Sequence, residues 1–140
     1  MIVLDTNVIS EPMRSGPDAA VVRWLNAQTG AALFTTSVTV MELRFGLERL
    51  PDGKRKDRLW EVLDFTLSRL VGPRILPFDA AAATEATRIA AEAEASGTPI
   101  GEADAQIAAI TRANGFAIAT RDTAPFQSAG VTVINPWNFA

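Results

Sequence analysis

The sequence predicts an α/β fold: a three-layer sandwich in which one five-stranded parallel sheet lies between helices. Five short apolar runs, MIVL (1–4), ALFTT (32–36), RILPF (74–78), FAIAT (116–120) and VTVI (131–134), alternate with longer stretches of helical periodicity. Continuous apolar strands separated by helices require a parallel sheet covered on both faces, because each crossover lays helix over sheet. The 140 residues hold no internal repeat, linker or low-complexity segment, so residues 1–140 are expected to form one domain.

Each element has a local reason. MIVL is short and unbroken in apolar content, and it runs straight into Asp5, Thr6 and Asn7. A short helix is expected from about Val8, broken near Pro12. Asp18 caps a second helix carrying Val21, Val22, Trp24 and Leu25, which stops at Thr29-Gly30. After ALFTT, Ser37 is expected to cap a helix reading VTVMELRFGLERL. Residues 54–71 place Leu59, Val62, Leu63, Leu67 and Leu70 at helical spacing and end at Gly72-Pro73. RILPF is the third strand, and alanine-rich 80–95 is helical by propensity. Thr98-Pro99 reads as the cap and first position of a helix running to Asn114-Gly115, before the last two strands.

Composition narrows the chemistry. The chain has no cysteine, no histidine and no tyrosine. Disulfides, thiol nucleophiles and Ser-His-Asp machinery are therefore excluded, as are the usual ligands of zinc, copper and haem. Carboxylates, lysine and metal-activated water remain for acid–base work, so a hard cation held by oxygens is the device such an enzyme would use. No apolar run approaches the roughly 18 residues of a membrane span. The N-terminal apolar stretch has no basic flank and meets Asp5, so a cytoplasmic protein is expected. The net charge of −3 does not advertise a nucleic-acid partner, although Lys54, Arg55, Lys56 and Arg58 cluster within five positions. Such a run is commonly a solvated helix start.

The acids are distributed unevenly. In open parallel sheets, ligands bind beyond the carboxyl ends of strands, where Asp5 follows the first strand and Asp122 follows the fourth. Either alone reads equally as a turn or cap residue. Glu42, with Val38 before it and Phe45 after it, shares a helical stripe with apolar residues, and so does Asp104 with Ile100, Ile107 and Ala108. A carboxylate on such a stripe costs several kcal/mol unless compensated. For Glu42 the ordinary compensation would be a salt bridge to Arg44 or Arg49, and Glu102 reads as a first-turn acid favoured by the helix dipole. If Asp5, Glu42, Asp104 and Asp122 converge, their mutual repulsion calls for a divalent cation, and Mg²⁺ or Mn²⁺ suits an all-oxygen site.

The stretches LDTNVIS, SVTVMELRFGL, GEADAQIAAI and ATRDT, in this order along essentially the whole chain, resemble the PIN-domain family. The likeness is greatest to VapC- and FitB-type toxins of bacterial toxin–antitoxin pairs. The resemblance implies a sheet of order 3-2-1-4-5 and a metal-dependent endoribonuclease whose four acids are Asp5, Glu42, Asp104 and Asp122. Asp5 and Asp104 would touch the metal, and Glu42 and Asp122 would complete the pocket through the ion or its waters. Thr6, Asn7 and Thr120 match positions that steady the acids, while ordinary turn and capping duty explains them equally well. The resemblance also implies an RNA substrate, a homodimer and a small DNA-binding antitoxin whose tail enters the acidic pocket, with a larger assembly formed with that antitoxin. Residues 37–71, with Phe45, Leu47, Leu50 and Trp60, are the surface such a partner would contact, or else they fill the core. RNA phosphates would have to be met by Lys54, Arg55, Lys56 and Arg58, helped by Arg44, Arg112 and Arg121.

Two other classes fit parts of the pattern. A magnesium-dependent phosphotransfer domain also places acids at strand ends. However, the haloacid-dehalogenase type wants an acid where Asn7 stands, and the receiver type wants a lysine after a late strand, where none follows Lys56. A catalytically silent interaction module would have no reason to keep four costly carboxylates.

Overall fold

The computed structural model describes residues 1–140. Strands β1 (Ile2–Leu4), β2 (Leu33–Thr36), β3 (Ile75–Leu76), β4 (Ala117–Ala119) and β5 (Val133–Ile134) form one parallel sheet ordered β3-β2-β1-β4-β5. The register pairs Val3 with Phe34 on one side and Ile118 on the other. Helices α1 (Thr6–Ser10) and α2 (Ala19–Ala27) connect β1 to β2, and α3 (Ser37–Glu48) and α4 (Lys54–Leu70) connect β2 to β3. Helices α5 (Ala80–Ala95) and α6 (Glu102–Ala113) return the chain to β4, and α7 (Thr123–Ser128) leads to β5.

The strand period of two sorts the core into two layers. Val3 and Ile118 belong to a buried cluster with Ile89, Ile107, Ile110 and Phe126. Their neighbours Leu4 and Ala119 belong to a second cluster with Val8, Ile9, Trp24, Leu63 and Leu67. Each fully buried Ile, Leu or Phe contributes roughly 1.5–3 kcal/mol from removal of apolar area. The order places β1 and β4 side by side although they are far apart in sequence. The chain builds outward from β1 to β3, then from β4 to β5, so the direction of winding reverses between β1 and β4. A crevice opens at such a reversal, beyond the strands' carboxyl ends.

Several boundaries differ from the sequence expectation, each for a physical reason. Helix α1 starts at Thr6 rather than Val8, because Asp5 caps it: the Asp5 carbonyl accepts from the Val8 and Ile9 N–H groups. The α-helix ends at Ser10, near Pro12 as expected, and the chain tightens into a 3₁₀ turn over Glu11–Met13, with the proline in its first positions, where no N–H is needed. The cap of α3 is Thr36, not Ser37. The Thr36 hydroxyl accepts from the Thr39 N–H at 3.0 Å and pairs with the Thr39 hydroxyl at 2.9 Å. Helix α6 starts at Glu102 with Gly101 as its cap, not at Thr98-Pro99, as Ile100 is drawn against the core ahead of the helix. That start puts Asp104 in the first helical turn. Helix α7 was not evident in the sequence; six residues with a central Pro125 carry too little periodicity to show.

The α3–α4 hairpin is pinned at its turn by Lys56, which donates to the Glu48 carbonyl at 3.1 Å and to Asp52 at 3.2 Å. A cation at the carboxyl end of α3 is favoured by the helix dipole. Beside the hairpin, Met41, Phe45, Trp60 and Ile75 line an open groove of about 570 Å³ together with Arg44. Phe45 is 57% exposed rather than part of the core, while Leu47 turns inward against Val8 and its neighbours. No helix is long and apolar enough to cross a membrane.

Because Thr36 orients α3, and α3 carries Glu42, Thr36→Ala should destabilise the protein by about 1–2 kcal/mol. Urea unfolding would show this as a lower midpoint at unchanged slope, with Thr36→Ser close to wild type. An unchanged midpoint for Thr36→Ala would contradict this role.

Candidate metal centre

Asp5 is the most buried of the four acids, 5% exposed at the end of β1. Its own N–H donates to the Ala119 carbonyl across the β1–β4 reversal at 3.0 Å. Its two carboxylate oxygens have separate donors. Oδ1 accepts the Thr6 N–H at 2.8 Å, and Oδ2 accepts the Thr120 hydroxyl at 2.8 Å. A threonine hydroxyl has one proton and two acceptor sites. Thr120 Oγ1 also accepts from Asn7 Nδ2 at 3.3 Å and from the Asp122 N–H at 3.1 Å, so its single proton is directed to Asp5.

The other three acids come from three elements and lie near enough to act through their charge, Glu42 and Asp122 on Asp5, and Asp5 and Asp122 on Asp104. Glu42 on α3 accepts the Thr6 hydroxyl through Oε1 at 3.0 Å. It forms no salt bridge with Arg44 or Arg49: Arg44 lines the groove, and Arg49 lies over the Phe45 ring at 5.5 Å. Asp104 is half-buried in the first turn of α6, above Ile107 and Ala108 in the core, and its carboxylate has no hydrogen bond or ion pair. Asp122 follows β4 on the exposed rim. Thr6 thus touches two acids, Thr120 touches Asp5 and the Asp122 backbone, and Asn7 holds Thr120 while its Oδ1 accepts the Arg121 N–H at 3.2 Å.

The electrostatics follow from burial and crowding. Burial pushes the Asp5 carboxyl above the ordinary aspartate range; the Thr120 and Thr6 hydrogen bonds oppose this, and the charges of Glu42 and Asp122 add to it. Asp104 is raised as well, first by burial and then by Asp5 and Asp122. A helix N-terminus favours a carboxylate by only about 0.3–1 kcal/mol, and here the opposing effects win. No arginine or lysine forms an ion pair with any of the four acids.

The donor set is all oxygen, which suits a hard divalent ion. No group of three or more of these acids is drawn tightly enough to hold an ion on protein ligands alone. Mg²⁺ does not need such a cage, since it commonly binds through one or two carboxylates and keeps several waters. Asp5 and Asp104, the two acids destabilised by their surroundings, are the ones a cation would relieve most.

The basic residues singled out in the sequence are spread more widely. Lys54 and Arg55 are exposed in the first turn of α4, and Lys56 is committed to the hairpin turn. Arg112 lies about 12 Å along α6 from Asp104, ion-paired with Glu85 at 3.2 Å and donating to the Ala129 carbonyl at 3.0 Å. Arg121 alone of these is next to the acids in the chain. Two features escaped the sequence reading. Glu11 is as buried as Asp5 but belongs elsewhere, paired with Arg14 at 2.8 Å; the E-x-x-R spacing was its only signal. Trp137, whose ring lies 5.2 Å from the Arg121 guanidinium, had none.

Comparison with known proteins gives a consistent answer. The PIN domain model matches residues 2–131. The chain is 47% identical over 137 residues to a protein named VapC ribonuclease Y4jK from Sinorhizobium fredii, covering 98% of both chains. It is 43% identical over 138 residues to toxin FitB of Neisseria gonorrhoeae, covering 99% of both. Among solved structures, that of FitAB bound to a DNA fragment superposes with a TM-score of 0.92 at 41% identity, covering 100% of this chain and 98% of the other.

Two outcomes follow from the geometry. Thr120→Val removes the donor to Asp5 and strands the Asn7 amide and the Asp122 N–H, so it should lower stability by about 1–3 kcal/mol, with Thr120→Ser largely restoring it; equal midpoints in urea would contradict this. Asp5 and Asp104 hold their protons more tightly folded than unfolded. Their contribution to stability is therefore full below the ordinary aspartate value of about 3.9 and is lost as pH rises through the raised folded values. Asp104→Asn should accordingly melt at a higher temperature than wild type in chelator at neutral pH, and the gap should close as pH falls towards 4. A wild type more stable than Asp104→Asn under those conditions would be the contrary result.

Proposed function

The chain belongs to the PIN-domain family, and from that premise we propose that it is a metal-dependent endoribonuclease, the toxin of a type II toxin–antitoxin pair. The observation that carries this reading is the convergence of Asp5, Glu42, Asp104 and Asp122 at the β1–β4 reversal, two of them destabilised by burial and mutual charge. The relatives named as a VapC ribonuclease and as toxin FitB support it.

Asp5 and Asp104 are the residues to hold Mg²⁺ or Mn²⁺. The bound ion would activate water and neutralise charge on the scissile phosphate. The remaining steps belong to the chain. Thr120 and Thr6 fix both Asp5 oxygens, so the carboxylate cannot rotate away when its partner arrives. Thr6 holds Glu42 by Oε1 and leaves Oε2 without a donor; the Asp122 carboxylate has no donor either. These free oxygens can accept hydrogen bonds from the attacking water and orient it. Water would add to phosphorus and give a proton to one of these carboxylates as the bond to the leaving oxygen breaks. The leaving oxygen would take a proton from solvent, leaving the carboxylate to lose its own to solvent afterwards.

The antitoxin reading rests on two supports. FitB is named a toxin, and the FitAB assembly was solved on DNA. The groove lined by Met41, Phe45, Trp60 and Ile75 offers apolar surface for a small partner protein, with Met41 and Phe45 more than half exposed. A cytoplasmic homodimer assembling further with its antitoxin completes the proposal.

Purified protein should cut RNA with Mg²⁺ or Mn²⁺ and stop when EDTA is in excess. Asp5→Asn should lower cleavage by more than about a hundredfold while the fold is retained, since asparagine also caps helices. Gel assays with labelled RNA check both. Full cleavage in excess chelator, or by Asp5→Asn, would overturn the reading.

A further inference from the structure

An acidic pocket on a chain of net charge −3 repels RNA, so something at its rim has to draw the phosphates in. Arg121 is placed for this as no other cation is. It lies between Thr120, which donates to Asp5, and Asp122, and its backbone N–H is fixed on Asn7 at 3.2 Å. Its guanidinium nevertheless forms no ion pair and no hydrogen bond with the protein. It lies over the indole of Trp137, with Cζ 5.2 Å from the ring centroid.

Trp137 follows the adjoining strand β5 by three residues. The Thr120 N–H donates to the Ile134 carbonyl at 3.0 Å, which ties the end of β4 to β5. Asn135 then accepts the Trp137 N–H at 3.0 Å, and a 3₁₀ turn over Pro136–Asn138 packs on α2. The indole rests on the core cluster that holds Leu4 and Trp24, so it is a fixed platform. With one side on the core and Arg121 over the ring, it has little surface left for stacking a base.

A guanidinium over an aromatic ring is held by its flat face and keeps its in-plane N–H donors for an anion. Stacking also keeps the charge from collapsing onto Asp122. We propose that Arg121 is the phosphate-gripping arm of the site, binding an RNA phosphate adjoining the one cleaved, and that Trp137 is a positioning residue acting through it. This rests on the ribonuclease reading.

The test is steady-state cleavage of a labelled RNA oligonucleotide with Mg²⁺ by the full chain over a range of salt concentrations. Arg121→Ala should raise KM roughly tenfold with kcat within about twofold, and should flatten the slope of log kcat/KM against log salt by about 0.7–1. Arg121→Lys should keep the slope and lose part of the affinity, because a lysine is a point charge without the planar fork. Trp137→Leu should raise KM about threefold, Trp137→Phe should largely restore it, and Trp137→Leu should add nothing in an Arg121→Ala background. Thermal melting of each variant separates misfolding from the effect on KM; should Trp137→Leu not fold, Trp137→Phe and the two Arg121 variants still decide. If wild type cuts RNA but Arg121→Ala leaves KM and the salt slope unchanged, the proposal falls while the ribonuclease reading stands. An equal Trp137→Leu effect with and without Arg121 would overturn the positioning role. A wild type that cuts no RNA would sink both.

Discussion

The hydrogen bond from Thr120 to Asp5 joins residues 115 positions apart and ties the two strands between which the sheet reverses its winding. It answers a hard requirement. A carboxylate buried to 5% exposure needs donors, or it takes up a proton and ceases to attract a cation. Thr120 can give its proton only to Asp5, since Asn7 and the Asp122 N–H occupy its acceptor sites. One hydroxyl thereby links the ends of β1 and β4, the start of α1 and the Asp122 loop. Thr6 makes the corresponding link from Asp5 to Glu42 on α3.

The rest of the molecule can be understood as support for that junction. Period-two burial fixes which strand residues face which helical layer, and the order β3-β2-β1-β4-β5 leaves the crevice where Asp5 ends β1. Helix α6 brings Asp104 to it in its first turn, with Ile107, Ala108 and Ile110 anchoring the same helix in the core. The result is a site whose acids oppose one another by several routes. The hydrogen bonds oppose that burden on Asp5 without removing it, and a divalent ion, as proposed, would relieve the rest.

Much of this was legible in the sequence, and the limits of legibility have a physical pattern. The alternation of apolar strands with helices gave the layers, because buried parallel strands admit no polar alternation. The four acids were legible because a carboxylate at a strand end or on an apolar stripe is anomalous without further information. Contacts across the sheet were not legible. Thr36 as a cap, Thr120 as a donor and Trp137 beside Arg121 depend on where distant backbone arrives, and their residue types are ordinary. The run Lys54–Arg58 drew attention by density alone; Lys56 within it proves to be a hairpin fastener, with its side chain 12% exposed. Phe45, placed on an apolar stripe by spacing, is exposed where it lines the open groove with Met41, Trp60 and Ile75.

The proposed activity depends on these four carboxylates binding a divalent ion. Isothermal titration of the metal-free protein with Mn²⁺ at mildly acidic pH, in two buffers of different ionisation enthalpy, measures this directly. The proposed site predicts saturable binding that is lost in Asp5→Asn and is accompanied by proton release, since burial raises Asp5 and Asp104 above the ordinary range and a bound cation lowers them again. Absence of saturable binding, or binding undiminished in Asp5→Asn, would contradict it.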